Sequence, residues 1–184
     1  MAATPQDVIG FWRGAGPEKW FTKNAKFDQS IALKFEPVHL AAARGEYDRW
    51  AASAEGSLAL LILLDQFPRN LFRNSGHAFA TDPKARQIAR SAIAAGHDRA
   101  VDADLRQFFY LPFEHSEDLP DQDYAITLYT TLKDETGDGE SLRWAELHRD
   151  IIVRFGRFPH RNPCLGRITT PNEQAFLNEG GFAG

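Results

Sequence analysis

Residues Leu58 to Leu64 read Leu-Ala-Leu-Leu-Ile-Leu-Leu, a run with no polar side chain. Wound as a helix, it is apolar on every face, so the rest of the chain has to enclose it. Seven residues are far too few to cross a bilayer, which takes about 20. Ser53 stands upstream as a capping residue and Asp65 follows directly. A carboxylate at the C-terminal end of a helix opposes the helix dipole, so Asp65 calls for a cation or several donors nearby.

Helix signals recur on both sides of this run. Thr4-Pro5 pairs a capping hydroxyl with a proline at the first helical position, and Gly14 closes that short helix. Asn24 caps a second helix, which Pro37 is expected to kink before Gly45 ends it. Asp82-Pro83 opens another that stops at Gly96. An aromatic helix over Leu105 to Leu111 is expected to break at Pro112. Helices over Asp121–Thr136 and Ser141–Phe155 flank the Gly137-Asp-Gly139 turn, and Thr170-Pro-Asn-Glu173 has capping-box spacing. No stretch alternates long enough for a strand. The expectation is an all-α fold of about eight or nine helices in antiparallel pairs, with residues 1–184 as a single domain around the Leu58–Leu64 helix. A 34-residue repeat does not emerge from the sequence itself.

The net charge of −4 argues against a nucleic-acid partner. Charge is unevenly spread, however. Nine acids against Lys133 occupy Glu114 to Glu140, and six arginines against Glu146 and Asp150 occupy Arg143 to Arg167. Neighbouring helices of opposite sign explain this, and so does a local anion site. A single cysteine, Cys164, excludes an internal disulfide, and the first residues lack a secretory pattern. A cytoplasmic location with no membrane partner is expected.

Three polar-aromatic stretches interrupt the amphipathic pattern. In Asp65-Gln-Phe-Pro-Arg-Asn-Leu-Phe-Arg73, Arg69 and Arg73 lie one and two helical turns beyond Asp65. They make either a buried clamp that stops the helix or a charged rim to a cleft. In Phe108-Phe-Tyr-Leu-Pro-Phe-Glu-His-Ser-Glu117, the rings suit a core, whereas His115 between carboxylates suits a general base. Glu117 is the candidate to orient it. The third stretch runs from His148 to Arg161. His148 falls within an apolar face of Trp144, Leu147, Ile151 and Phe155, so it is either buried and hydrogen-bonded or aimed into a cavity. Beyond it, Arg157, His160 and Arg161 form a candidate anion clamp, since guanidinium forks match carboxylates and phosphates.

No known metal-binding, nucleophile or nucleotide motif is present, and the spacing of His115, His148, His160 and Glu117 matches no standard metal site. Neither a metal nor a cofactor is expected, and Cys164 has no activating partner in sequence.

Together, Asp65–Arg73, Phe109–Glu117 and Arg154-Phe-Gly-Arg-Phe-Pro-His-Arg-Asn162 closely resemble a bacterial family of uncharacterised proteins, domain-of-unknown-function family 924. The resemblance extends from Val8-Ile-Gly-Phe-Trp12 to the helix ending near Leu177. It implies a tetratricopeptide-like superhelix and carries no catalytic assignment. The functional expectation is a polar cleft that binds a small anionic or phosphorylated metabolite, with hydrolysis or other turnover as an option. Arg69, Arg73, Arg157 and Arg161 would hold the charge. His115, His148 or His160 would move a proton, oriented by Asp65 or Glu117. The alternatives are a non-enzymatic tetratricopeptide-like module for an acidic peptide and a metal-dependent hydrolase. A homodimer is a further option, with Trp12, Trp20 or Phe182 at its contact.

Overall fold

Four side-chain caps start helices where the sequence signals them. Thr4 accepts from the Asp7 amide, Asn24 from Lys26 and Phe27, Ser53 from Gly56 and Thr170 from Glu173. Each satisfies a backbone donor that the first helical turn leaves over. The computed structural model describes residues 3–183, and all the regular structure among them is helical. The α-helical segments are α1 (Pro5–Ala15), α2 (Pro17–Trp20), α3 (Ala25–Ala43), α4 (Ala54–Leu61), α5 (Phe67–Leu71), α6 (Asp82–Ala94), α7 (Gln107–Glu114), α8 (Leu119–Thr136), α9 (Glu140–Phe155) and α10 (Pro171–Asn178). A π-helical turn, Ile62–Gln66, joins α4 to α5 in one rod, giving nine helices among the described residues. None of these is long and apolar enough to cross a membrane.

The chain divides into two compact units. The first holds the chain up to Arg73 together with His77–Pro112; the second holds Asn74–Gly76 and everything from Phe113 onward.

The buried rod organises the first unit. Every side chain from Leu58 to Leu64 is at most 1% exposed, and α4 packs against α1 and α6. Burying six Leu and Ile side chains contributes on the order of 10 kcal/mol or more, which keeps this segment enclosed despite the charge that follows it. An aromatic cluster completes the unit: the Trp12 ring lies 5.6 Å from Phe67, 5.7 Å from Phe108 and 6.1 Å from Trp20. Trp12 and Trp20, considered for a dimer contact, are therefore core residues.

Several local expectations are corrected. The rod does not end at Asp65, because the π turn carries the helix on to Leu71. A π turn leaves backbone carbonyls without their usual partners, and side chains take them over. His39 Nδ1 donates to Leu63 O at 2.8 Å, Thr81 Oγ1 to Leu64 O, and Arg69 Nη1 to Asp65 O. Pro37 lies inside an unbroken α3, where its face is solvent-exposed and water can satisfy the carbonyl it leaves over. Pro112 likewise lies inside α7; Phe108, Phe109, Tyr110, Leu111 and Phe113 are all buried, which outweighs the roughly 3 kcal/mol that an internal proline costs. The first helix closes at Gly16 (φ 79°), two residues beyond Gly14.

In the second unit α8 and α9 form an antiparallel hairpin around Gly137 (φ 78°), with Arg149 of α9 bridging to Asp123 of α8 at 2.6 Å. The buried face of α9 is not the expected one. Leu142, Ala145, His148, Ile151 and Ile152 face inward, while Trp144 is 48% and Leu147 39% exposed. Leu147 instead borders an open groove of about 470 Å³ shared with Phe176 and Phe182. Ile151, Ile152 and Phe158 form a small core with Phe155, Phe176 and Phe182 against it.

Candidate functional site

The first stretch lies in the first unit as a network of ion pairs. Asp65 (1% exposed) accepts from Gln66 Nε2 at 2.6 Å and lies 3.4 Å from Arg69 Nη1. Arg69 forks onto Asp82, Nη1 to Oδ1 at 3.0 Å and Nη2 to Oδ2 at 3.1 Å. Burial works against the Arg69 charge, yet Asp65 and Asp82 outweigh it and raise the pKa of the guanidinium. Arg73 forks onto Asp28 at 2.6 and 2.8 Å, and Asn70 donates to the same carboxylate. Burial raises the Asp28 pKa, but Arg73 and Asn70 bring it below the usual range.

The second and third stretches meet in the second unit, and the meeting point is His148. The C-terminal turn of α7 fixes Glu114, which is buried, and delivers His115, Ser116 and Glu117 just beyond it. The His115 ring lies 6.5 Å from the His148 ring. From the other side, the loop after α9 packs Phe158 at 5.5 Å from His148 and carries His160 and Arg161 in the short 3₁₀ turn Pro159–Arg161. The Arg161 guanidinium is buried and lies 4.4 Å from the Phe158 ring centre. Phe182 closes the group, 4.4 Å from His148 and 5.2 Å from His160.

Hydrogen-bond polarity fixes the state of His148. Its Nδ1 is 2.8 Å from Trp144 O and 3.1 Å from Glu114 Oε1. A carbonyl and a carboxylate both accept, so Nδ1 carries the proton. Burial disfavours the imidazolium most, and the nearby His115, Arg161 and His160 oppose it further. Against the bond to Trp144, these push the pKa of His148 down to about 3. The ring is thus neutral at physiological pH, with its lone pair on Nε2.

Glu117 and Arg157 serve the same loop. Glu117 accepts from Arg167 Nη1 at 2.6 Å, Arg167 Nη2 at 3.0 Å and the Phe158 amide at 2.8 Å. Burial raises its pKa, but these donors together with Arg161 lower it overall. Arg157 forks onto Glu173 at 2.6 and 2.8 Å. With the capping bond from Thr170 N, this holds the Glu173 carboxyl down to about 2. Glu117 and Glu173 therefore pin both ends of the segment that presents His160 and Arg161.

Sequence reasoning found the histidines and arginines but missed the carboxylates that meet them. Glu114, the residue touching His148, was passed over for Glu117 although it stands in the same Glu-His-Ser-Glu run. Glu173 was recognised only as a cap, Asp82 only as a helix start and Arg167 only as part of the arginine-rich segment, while Asp28 carried no local signal. Among the described residues, no group of three or more His, Cys, Asp or Glu side chains is placed to hold a metal ion.

Comparison with known proteins agrees with this architecture. A solved structure of a protein of unknown function from Agrobacterium tumefaciens, ATU0120, shares 54% identity and superposes with a TM-score of 0.91, covering 96% of this chain and 97% of that one. None of the curated proteins matches the chain. The family described as "Bacterial protein of unknown function (DUF924)" matches residues 8–181, which is nearly the whole chain. The chain belongs to that family.

Proposed function

We propose that the protein binds a small anionic metabolite at the histidine group of its second unit and moves a proton there. Arg161 and the imidazoles of His115 and His160 supply donors for the negative charge. His148 is the group that exchanges a proton, and Glu114 takes the orienting role expected of Glu117. The observation that carries this reading is the commitment of the His148 Nδ1 proton to Glu114 and Trp144, which leaves the lone pair of a neutral ring on Nε2. A carboxylate that orients an imidazole in this way is the usual support of a histidine acid–base group.

The other expected ligand-binding side chains have structural roles in this reading. Arg69 and Arg73, with Asp65, hold the end of the buried rod, and Arg157 pins the loop. The reading places the protein in the cytoplasm, where anionic metabolites abound, and keeps a tetratricopeptide-like arrangement as part of the proposal.

Thermal-shift screening against anionic metabolites tests it, because a ligand selective for the folded state adds about 2.7 kcal/mol of stability at 100 times its Kd and so raises the melting temperature. The expected result is a hit among phosphorylated compounds or small organic acids whose shift disappears in His148→Gln and Arg161→Met. A hit whose shift survives both substitutions would move the site elsewhere, and a screen with no anionic hit would reject the function.

A further inference from the structure

Arg149, Arg157 and Arg167 of the second unit each meet a carboxylate of their own chain at 2.6 Å. The outer stripe of α9 differs. Glu140, Arg143, Leu147, Asp150 and Arg154 follow one another at steps of three and four residues, so they line up along one face of the helix over about 21 Å. All five are exposed, and among the described residues none of the four charged side chains takes part in an ion pair. Arg154 stacks on Phe155 and Phe176, with its guanidinium 4.9 and 5.1 Å from the ring centres, and its N–H edges remain to donate. Glu146 stands one turn before Asp150, a like-charge pair that disfavours the helix by itself and is relieved by cations from outside.

Apolar surface accompanies these charges. Trp144 is 48% and Leu147 39% exposed, and the Trp144 ring lies 6.5 Å from that of Phe182. On this side the stripe forms one wall of the open groove, with Phe176 and Phe182 opposite. An exposed tryptophan beside a leucine and an open groove is the kind of anchor that protein contacts use.

The order of the charges selects the partner. From Glu140 to Arg154 the stripe runs negative, positive, apolar, negative, positive. Reversed, it runs positive, negative, apolar, positive, negative, with the opposite sign at every charged place. Two copies laid antiparallel about a two-fold axis at Leu147 therefore set Glu140 against Arg154 of the second copy and Arg143 beside its Asp150, and symmetry repeats both pairs. The two Leu147 side chains meet on the axis. Each Trp144 falls opposite the turn holding Asp150 and Ile151, which wall the groove of the other copy. We propose that α9 is the contact through which the protein pairs with a second copy of itself, antiparallel and centred on Leu147. The inversion of sign about an apolar centre is what singles out a second copy, since an unrelated partner requires no such symmetry.

The stripe is short and polar compared with the interface of a permanent dimer, so the pairing is a weak one. Sedimentation velocity of the intact protein, from about 1 to about 300 μM at low salt, covers the affinities of such interfaces. The expected result is a monomer that becomes a dimer as concentration rises, and less so at high salt, which screens exposed pairs. Arg143→Glu should weaken association at least about tenfold, because the two-fold axis brings like charges together twice. Adding Asp150→Arg should return the affinity to within about threefold of wild type, since the reversed pair is complementary again. A wild-type protein that stays monomeric over the whole range overturns the proposal. So does a dimer indifferent to salt, to Arg143→Glu and to Leu147→Asp, which places the contact elsewhere, or a double variant no better than the single one. Because the concentration and salt series need no substitution, a poorly folding variant does not decide the outcome.

Discussion

Replacing Arg69 by methionine tests whether its ion pairs hold the end of the buried rod. The guanidinium bonds both oxygens of Asp82 at 3.0 and 3.1 Å, lies 3.4 Å from Asp65 Oδ1 and caps the Asp65 carbonyl. Asp65 is 1% and Asp82 4% exposed, so neither can recover full hydration when the cation goes. Removing one partner of a buried pair costs about 3–5 kcal/mol, because a charge is left uncompensated. Two carboxylates depend on this guanidinium, which argues for the upper half of that range. The 20% exposure of the Arg69 side chain argues for a discount, and about 4 kcal/mol is the balanced expectation. For a chain of this size that corresponds to roughly 8–16 °C in melting temperature. Denaturant unfolding followed by tryptophan fluorescence reads the event well, since Trp12, Trp20 and Trp50 all belong to the first unit. Adding Asp82→Asn should restore about 1–3 kcal/mol, as coupled neighbours do in double-mutant cycles. A single variant within about 1 kcal/mol of wild type, or a double variant no better than the single, would refute the reasoning.

Two further outcomes follow from local geometry. A Cβ at Gly56 would lie 1.9 Å from the Trp50 carbonyl oxygen, a backbone atom that cannot swing aside, so Gly56→Ala should lower stability by about 1–3 kcal/mol in a melting experiment. The Glu173 carboxyl, held at about 2 against an ordinary 4.5, contributes stability that is present above about pH 4.5 and lost as pH falls towards 2. The melting gap between wild type and Glu173→Gln should accordingly be wide at neutral pH and close over that acid window.

What could be seen in the sequence was what depends on near neighbours. Thr4, Asn24, Ser53 and Thr170 cap helices through bonds spanning two or three residues, and the Leu58–Leu64 run is too apolar to lie anywhere but inside. Gly96, Gly137 and Gly156 stop helices in left-handed geometry that other residues adopt poorly. Features that depend on distant partners were hidden. Arg73 meets Asp28 across 45 positions, and Glu117 meets Arg167 across 50. The π turn is visible only through the His39 and Thr81 side chains that satisfy its carbonyls. Pro37 and Pro112 misled because proline's local penalty is legible, whereas the solvent-exposed face at Pro37 and the aromatic burial around Pro112 are not. The face of α9 was misjudged for a similar reason: Trp144 and Leu147 are apolar, yet the hairpin turns them outward and places His148 in their stead.

Imidazole NMR of His148, recorded through a pH titration with and without inorganic phosphate, bears most directly on the proposed site. The account predicts a neutral ring protonated on Nδ1 down to about pH 3 in the free protein. Added phosphate, as a simple anion, should shift the His115, His148 and His160 resonances together. A His148 that titrates near its ordinary 6.5, or histidine signals indifferent to phosphate, would contradict it.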